Sequence, residues 1–136
     1  MRTLKNIITP EGFNPDANLT NPDTGGLQRK KARANLKGVK LYGFEFFSLE
    51  GHGSTICFRH EELAVKLYAT PNYNGDGQID IAVKGEHGTF LRAPLEGNAV
   101  HQVDAPQHLS VVKYLQILRD FLEANLLNSE YEEEVT

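Results

Sequence analysis

Residues 104–127 have the longest regular helical period in the chain. Four apolar residues recur every three or four positions, and therefore on one face of a helix: Val111, Leu115, Leu118 and Leu122. Asp104 is a suitable N-cap, and Gln107 follows three residues later as in a capping box. The preceding residues have the patterns of strands and loops, so the apolar face of this helix is predicted to cover a sheet.

The strands are predicted from alternation and from the turns between them. Aromatic and β-branched residues concentrate in short segments, at 39–49, 54–60, 63–70, 78–84 and 89–93. Glycine-containing turns at 50–53 and 85–88 separate some of them, and 97–103 is predicted to be a loop. The sequence thus predicts an α+β fold. Its antiparallel β-meander of four or five strands is followed by one long C-terminal helix packed on the sheet.

Charge and composition divide the 136 residues into three parts. Residues 1–38 contain three prolines and a Gly-Gly pair and are predicted to be an extended basic arm. Residues 39–127 form the core of meander and helix, and residues 128–136 form an acidic tail. Segment 28–40 carries six basic residues and no acid, whereas 120–136 carries six acidic residues and no base, although the net charge is only −4.

Two apolar surfaces are larger than one sheet and one helix can bury against each other. In the first strand Tyr42, Phe44 and Phe46 are predicted to share one face, opposite the face of Val39, Leu41, Phe47 and Leu49. Three further apolar residues widen the helix face beyond the usual stripe: Tyr114, Ile117 and Phe121. A third layer, from the arm or from another molecule, is therefore predicted.

Two motifs have an ordinary structural alternative to a metal site. Residues 72–79 resemble the first part of a calcium loop, but Val83 stands where a bidentate glutamate is needed, and Asn-Gly and Asp-Gly are typical of a tight hairpin. His52, His60 and His87 could meet near Cys57, yet no pair has the spacing of preorganised ligands. We therefore predict neither a metal nor a cofactor, and no catalytic motif is present, so the protein is predicted not to be an enzyme.

The single cysteine excludes an internal disulfide, and there is neither a signal-peptide pattern nor an apolar run that could span a membrane. A cytoplasmic location is expected, which for a viral protein means the host cytosol or the virion. No membrane partner is expected.

Two functions fit this pattern. The first is a non-enzymatic binding or assembly protein, such as a virion component or an inhibitor. It would dock on protein partners or sister subunits through its arm and aromatic sheet face, as a homo-oligomer. The alternative is a single-stranded nucleic-acid-binding protein, which would combine cations with aromatic rings for base stacking.

Both hypotheses use the same candidate residues, five basic and four aromatic: Arg29, Lys30, Lys31, Arg33, Lys37, Tyr42, Phe44, Phe46 and Tyr68. Arg59, Lys66, Lys84 and Arg92 could join the aromatic residues on one sheet face. In architecture alone, strands followed by a helix with a basic arm resemble the ββββα single-strand binders of the Whirly type. No motif of those proteins matches this sequence residue by residue.

Overall fold

The alternating segments form one antiparallel sheet in a computed structural model, which describes residues 4–51, 53–71, 77–85, 91 and 100–126. The elements are α1 (Arg29–Leu36), β1 (Lys40–Leu41), β2 (Phe44–Glu50), β3 (Thr55–His60), β4 (Val65–Pro71), β5 (Gln78–Gly85), β6 (His101–Asp104) and α2 (Val111–Asn125). Neighbours in sequence are neighbours in the sheet. The predicted α+β class is confirmed, and the described residues form six strands in place of the predicted four or five.

The aromatic segment 39–49 forms two strands instead of the predicted one. Tyr42 and Gly43 both adopt positive φ, 49° and 82°, and close a tight hairpin between β1 and β2. Tyr42 is therefore in the turn and is not on a shared face with Phe44 and Phe46. A register shift between Phe46 and Ser48 then interrupts the alternation of β2.

Helix α2 covers the sheet as predicted. All four residues of the periodic stripe are buried, and so is Tyr114, whose hydroxyl donates to the carbonyl oxygen of Ala69 at 2.8 Å. The ring of Tyr114 also stacks on Phe58 of β3, with 6.5 Å between centroids. Ile117 and Phe121 are partly buried against the same core.

The predicted N-cap of this helix is wrong by six residues. Residues 101–104 pair with β5 as strand β6, so Asp104 is a strand residue and not a cap, and the predicted loop 97–103 contains part of a strand. Ser110 is the N-cap, and its side-chain oxygen accepts a hydrogen bond from the amide of Lys113 at 3.2 Å.

The N-terminal segment supplies the third layer from within the same chain. Ile7 and Leu19 are buried in the core, and the amide of Leu19 donates to the carbonyl oxygen of Leu109 at 2.8 Å. The buried Arg119 of α2 donates to the carbonyl oxygen of Lys5 at 3.0 Å. The segment predicted to be wholly extended also contains helix α1, which buries only Ala32 and Leu36.

Several predicted features fall wholly or partly outside the described residues. These are the loop at 72–76, the strand at 89–93 apart from Leu91, and the tail at 128–136. Leu91 is buried and forms an isolated bridge with Leu126.

Candidate functional site

Three basic side chains lie side by side on the sheet face that points away from α2, which we call the outer face. In β3 and β4 the buried residues alternate with Arg59 and Lys66. Arg59 lies directly opposite Lys66, and Lys66 lies directly opposite Lys84 of β5. We call these three residues the cationic row. Directly opposed residues have Cβ atoms only about 5 Å apart, and like charges in this arrangement destabilise a sheet.

An exposed aromatic ring lies against this row. Phe47 follows the inward-facing Phe46 and therefore lies on the outer face, where 42% of the residue is exposed. The guanidinium carbon of Arg59 is 4.2 Å from the centroid of the Phe47 ring, and the ammonium nitrogen of Lys66 is 5.5 Å from it. Both distances are within the range of a cation–π interaction.

A cleft of about 350 Å³ opens at the row. The three cations line it together with Leu63, Ala64, Val65 and Gly85, and no acidic residue belongs to this lining in the described part of the chain. Within that part, no carboxylate makes an ion pair with Arg59 or Lys66. The surface therefore has the chemistry to bind an anionic group.

His60 fixes the loop that forms one side of this cleft. Its Nδ1 accepts hydrogen bonds from the amides of Glu62 and Leu63, each at 3.1 Å, and its ring packs edge-on against Phe44. Because Nδ1 must be unprotonated to accept them, the folded state requires neutral imidazole. Burial lowers the pKa of His60, an effect that Glu61 and Glu62 partly oppose.

Cys57 and Tyr68 occupy the next positions on the outer face. The Tyr68 hydroxyl donates to Glu50 at 3.4 Å, and the Ser48 hydroxyl donates to the other oxygen of Glu50 at 3.1 Å. Burial, together with the neighbouring Glu50, raises the pKa of the Cys57 thiol to about 12, and burial likewise raises the pKa of Tyr68 to about 12. The thiol is therefore protonated at neutral pH and unsuited to act as a nucleophile.

The structure separates the predicted site residues into three groups. The five basic residues from Arg29 to Lys37 are exposed, and four of them lie in α1. Tyr68 shares the outer face with the cationic row, as predicted. Tyr42 and Phe44 are only 5% and 0% exposed, and Phe46 packs edge-on against Phe58 in the core. The predicted aromatic docking face is therefore an inner face, because α2 covers it.

Phe47 lies on the face of β2 opposite Phe44 and Phe46, as alternation predicts, but apart from the other residues that were predicted to share its face. The tight turn at Tyr42 and Gly43 puts Leu41 opposite Phe44 on the inner face, and the register shift after Phe46 puts Leu49 opposite the buried Ile56. Of the three histidines considered as metal ligands, His52 and His87 lie outside the described residues and His60 is buried in the core. No group of three potential metal-ligating side chains occurs in the described part of the chain. Arg92 also lies outside it.

No family model, curated protein or solved structure matches the chain. Among the described residues, no helix is both long and apolar enough to cross a membrane.

Proposed function

We propose that the protein is a non-enzymatic binding protein for single-stranded nucleic acid and that the outer face is its contact surface. The observation that carries the proposal is the cationic row beside exposed Phe47. Proteins that bind single strands combine cations along the backbone with aromatic rings on which bases stack. Arg59, Lys66 and Lys84 supply the first component, and Phe47 supplies the second.

Exposed cations of α1 also lie near the Phe47 ring, although the contact surface proposed here is the cationic row with Phe47. Arg33 and Lys37 line a groove whose opposite side includes Phe47, so basic side chains lie on both sides of that ring. This arrangement would bind a strand without preference for its base sequence, because cations contact phosphates and any base can stack on an aromatic ring.

The salt dependence of binding tests this proposal. For a fluorescein-labelled oligothymidylate measured by anisotropy, three neutralised phosphates give a slope of log affinity against log salt of about −2. The double variant Arg59→Ala/Lys66→Ala should flatten the slope by about 1.4, since each lost phosphate contact removes roughly 0.7 for a single strand. Lys113→Ala, which removes an exposed cation from α2, is the matched control and should leave the slope unchanged.

A second variant separates stacking from charge. Phe47→Leu keeps an apolar side chain but removes the aromatic face, and we expect at least a roughly fivefold loss of affinity with an unchanged salt slope. No measurable binding at low salt, or equal binding by the double variant and the wild type, would contradict the proposal.

Docking on protein partners or sister subunits, and a homo-oligomeric state, stay predictions. That hypothesis relied on the N-terminal arm, which instead packs against the core of its own chain, where Ile7 and Leu19 are buried. Light scattering during size-exclusion chromatography measures the oligomeric state directly.

A further inference from the structure

On the side of β2 that pairs with β1, one half of the strand has no partner strand among the described residues. β1 is only two residues long and pairs with Phe44 and Glu45, and the amide of Phe46 donates to Val39 at 3.3 Å. Beyond that point, no described strand pairs with β2 on this side, although β2 continues to Glu50. An unpaired edge presents backbone donors and acceptors to an incoming strand.

Helix α1 borders this edge and leaves a groove between them. The groove has a volume of about 640 Å³ and is lined on one side by residues 46–49 of β2 and on the other by Arg33 and Lys37. Both basic residues are exposed, and they are four positions apart, on one face of the helical segment and the residue that caps it. No carboxylate in the described part of the chain makes an ion pair with either of them.

The other charge in the groove is already compensated. Glu45 is the acidic residue of this lining, and its carboxylate lies 3.5 Å from the ammonium of Lys40. Exposed Phe47 and partly buried Leu49 add apolar surface to the β2 side. The groove therefore offers a strand edge, apolar side chains and two cations that have no ion pair with a described residue.

We propose that this groove binds an extended acidic peptide segment of a partner protein, which adds to β2 as a further strand. The incoming backbone pairs with the free half of β2, and its carboxylates meet Arg33 and Lys37. The free half offers about four residues, or roughly 13 Å of strand. A peptide fits better than a nucleic acid, because regularly spaced backbone N–H and C=O groups complement a strand edge. The inference does not rest on nucleic-acid binding by the cationic row, because Arg59, Lys66 and Lys84 do not line this groove, although Phe47 borders both surfaces.

The charge component is tested with a fluorescein-labelled octapeptide that alternates glutamate and valine. We expect saturable binding to the full chain and a roughly five- to tenfold loss of affinity in Arg33→Ala/Lys37→Ala. Lys30→Ala/Lys31→Ala is the matched control, because these exposed cations lie on the same helix but do not line the groove. It should retain wild-type affinity, and so should Arg59→Ala/Lys66→Ala if the two surfaces are independent.

The strand component is tested by methylating alternate backbone nitrogens of the peptide. In an added strand, alternate amides point toward β2 and the others point away. One of the two alternately methylated peptides should therefore lose binding while the other retains it. Equal binding by both would overturn strand addition, even if the charge variants behave as expected.

Three further outcomes would also overturn the proposal. One is absence of peptide binding. Another is an oligonucleotide affinity that falls in Arg33→Ala/Lys37→Ala while the peptide does not bind, which would assign the groove to the nucleic-acid surface. The third is self-association that disappears in that variant without peptide binding, which would identify a second copy as the occupant.

Discussion

Replacing Lys66 with glutamine should stabilise the protein at low salt and destabilise it slightly at high salt. Lys66 is the middle member of the cationic row, with Arg59 directly opposite on one side and Lys84 directly opposite on the other. The substitution removes two like-charge contacts and preserves most of the side-chain length. It also removes the weaker of the two cation–π contacts with Phe47.

The magnitude follows from these contacts. Two unit charges about 6 Å apart in water repel each other by about 0.7 kcal/mol. Flexible side chains reduce this to roughly 0.5 kcal/mol for each pair, within the range for cross-strand neighbours, so two pairs give about 1 kcal/mol. Loss of an exposed cation–π contact costs about 0.5 kcal/mol, which leaves a net stabilisation of about 0.5 kcal/mol at low salt.

Urea unfolding at two salt concentrations measures this balance. At about 1 M salt the screening length is about 3 Å, so the repulsion disappears and only the lost cation–π contact remains. The variant should then be about 0.5 kcal/mol less stable than the wild type, a change of about 1 kcal/mol relative to low salt. Lys113→Gln, on the exposed side of α2, should show no such change. If Lys66→Gln is destabilising by the same amount at both salt concentrations, the argument from strand register is wrong.

Three predictions concern the core. Because burial lowers the pKa of His60, this imidazole is protonated at a higher pH in the unfolded chain than in the folded one. The contribution of His60 to the free energy of unfolding should therefore be complete above about pH 6.5 and decrease as the pH falls below that value. In urea titrations, His60→Asn should remove this dependence on pH. Gly43→Ala should cost about 2–3 kcal/mol, because φ is +82° and the new Cβ would collide with His60, whereas Gly12→Ala, at φ +84° with no neighbour within 4 Å, should cost only about 1 kcal/mol. Tyr114→Phe should cost about 1–2 kcal/mol in thermal unfolding, because it leaves the buried carbonyl of Ala69 without its donor.

The sequence predicts those parts of the fold that depend on periodicity. The stripe from Val111 to Leu122 and the alternation of Ile79, Ile81 and Val83 each mark a buried face, and the structure buries all of these residues. Burial on one face imposes a period of 3.6 in a helix and of 2 in a strand, so these patterns are visible without tertiary information.

The sequence does not reveal features that depend on contacts with distant residues. Strand β6 contains a single aliphatic residue, Val103, and is held by backbone pairing with β5. Helix α1 has only Ala32 and Leu36 to mark its buried side. The cations of the outer face are visible in sequence, but the register that aligns them is set by strand pairing. The turn at Tyr42 and Gly43 and the bulge after Phe46, which put Leu41 and Leu49 on the face opposite Phe47, also give no signal in the alternation.

The central claim is that single-stranded nucleic acid contacts the outer face, and amide chemical-shift mapping tests it most directly. The full chain is labelled with ¹⁵N and titrated with an unlabelled oligothymidylate at low salt. The account predicts progressive shifts for Phe47, Arg59, Lys66 and Lys84 and little change around Lys113 on α2. Shifts confined to α2 and the N-terminal segment, or no shifts at all, would contradict it.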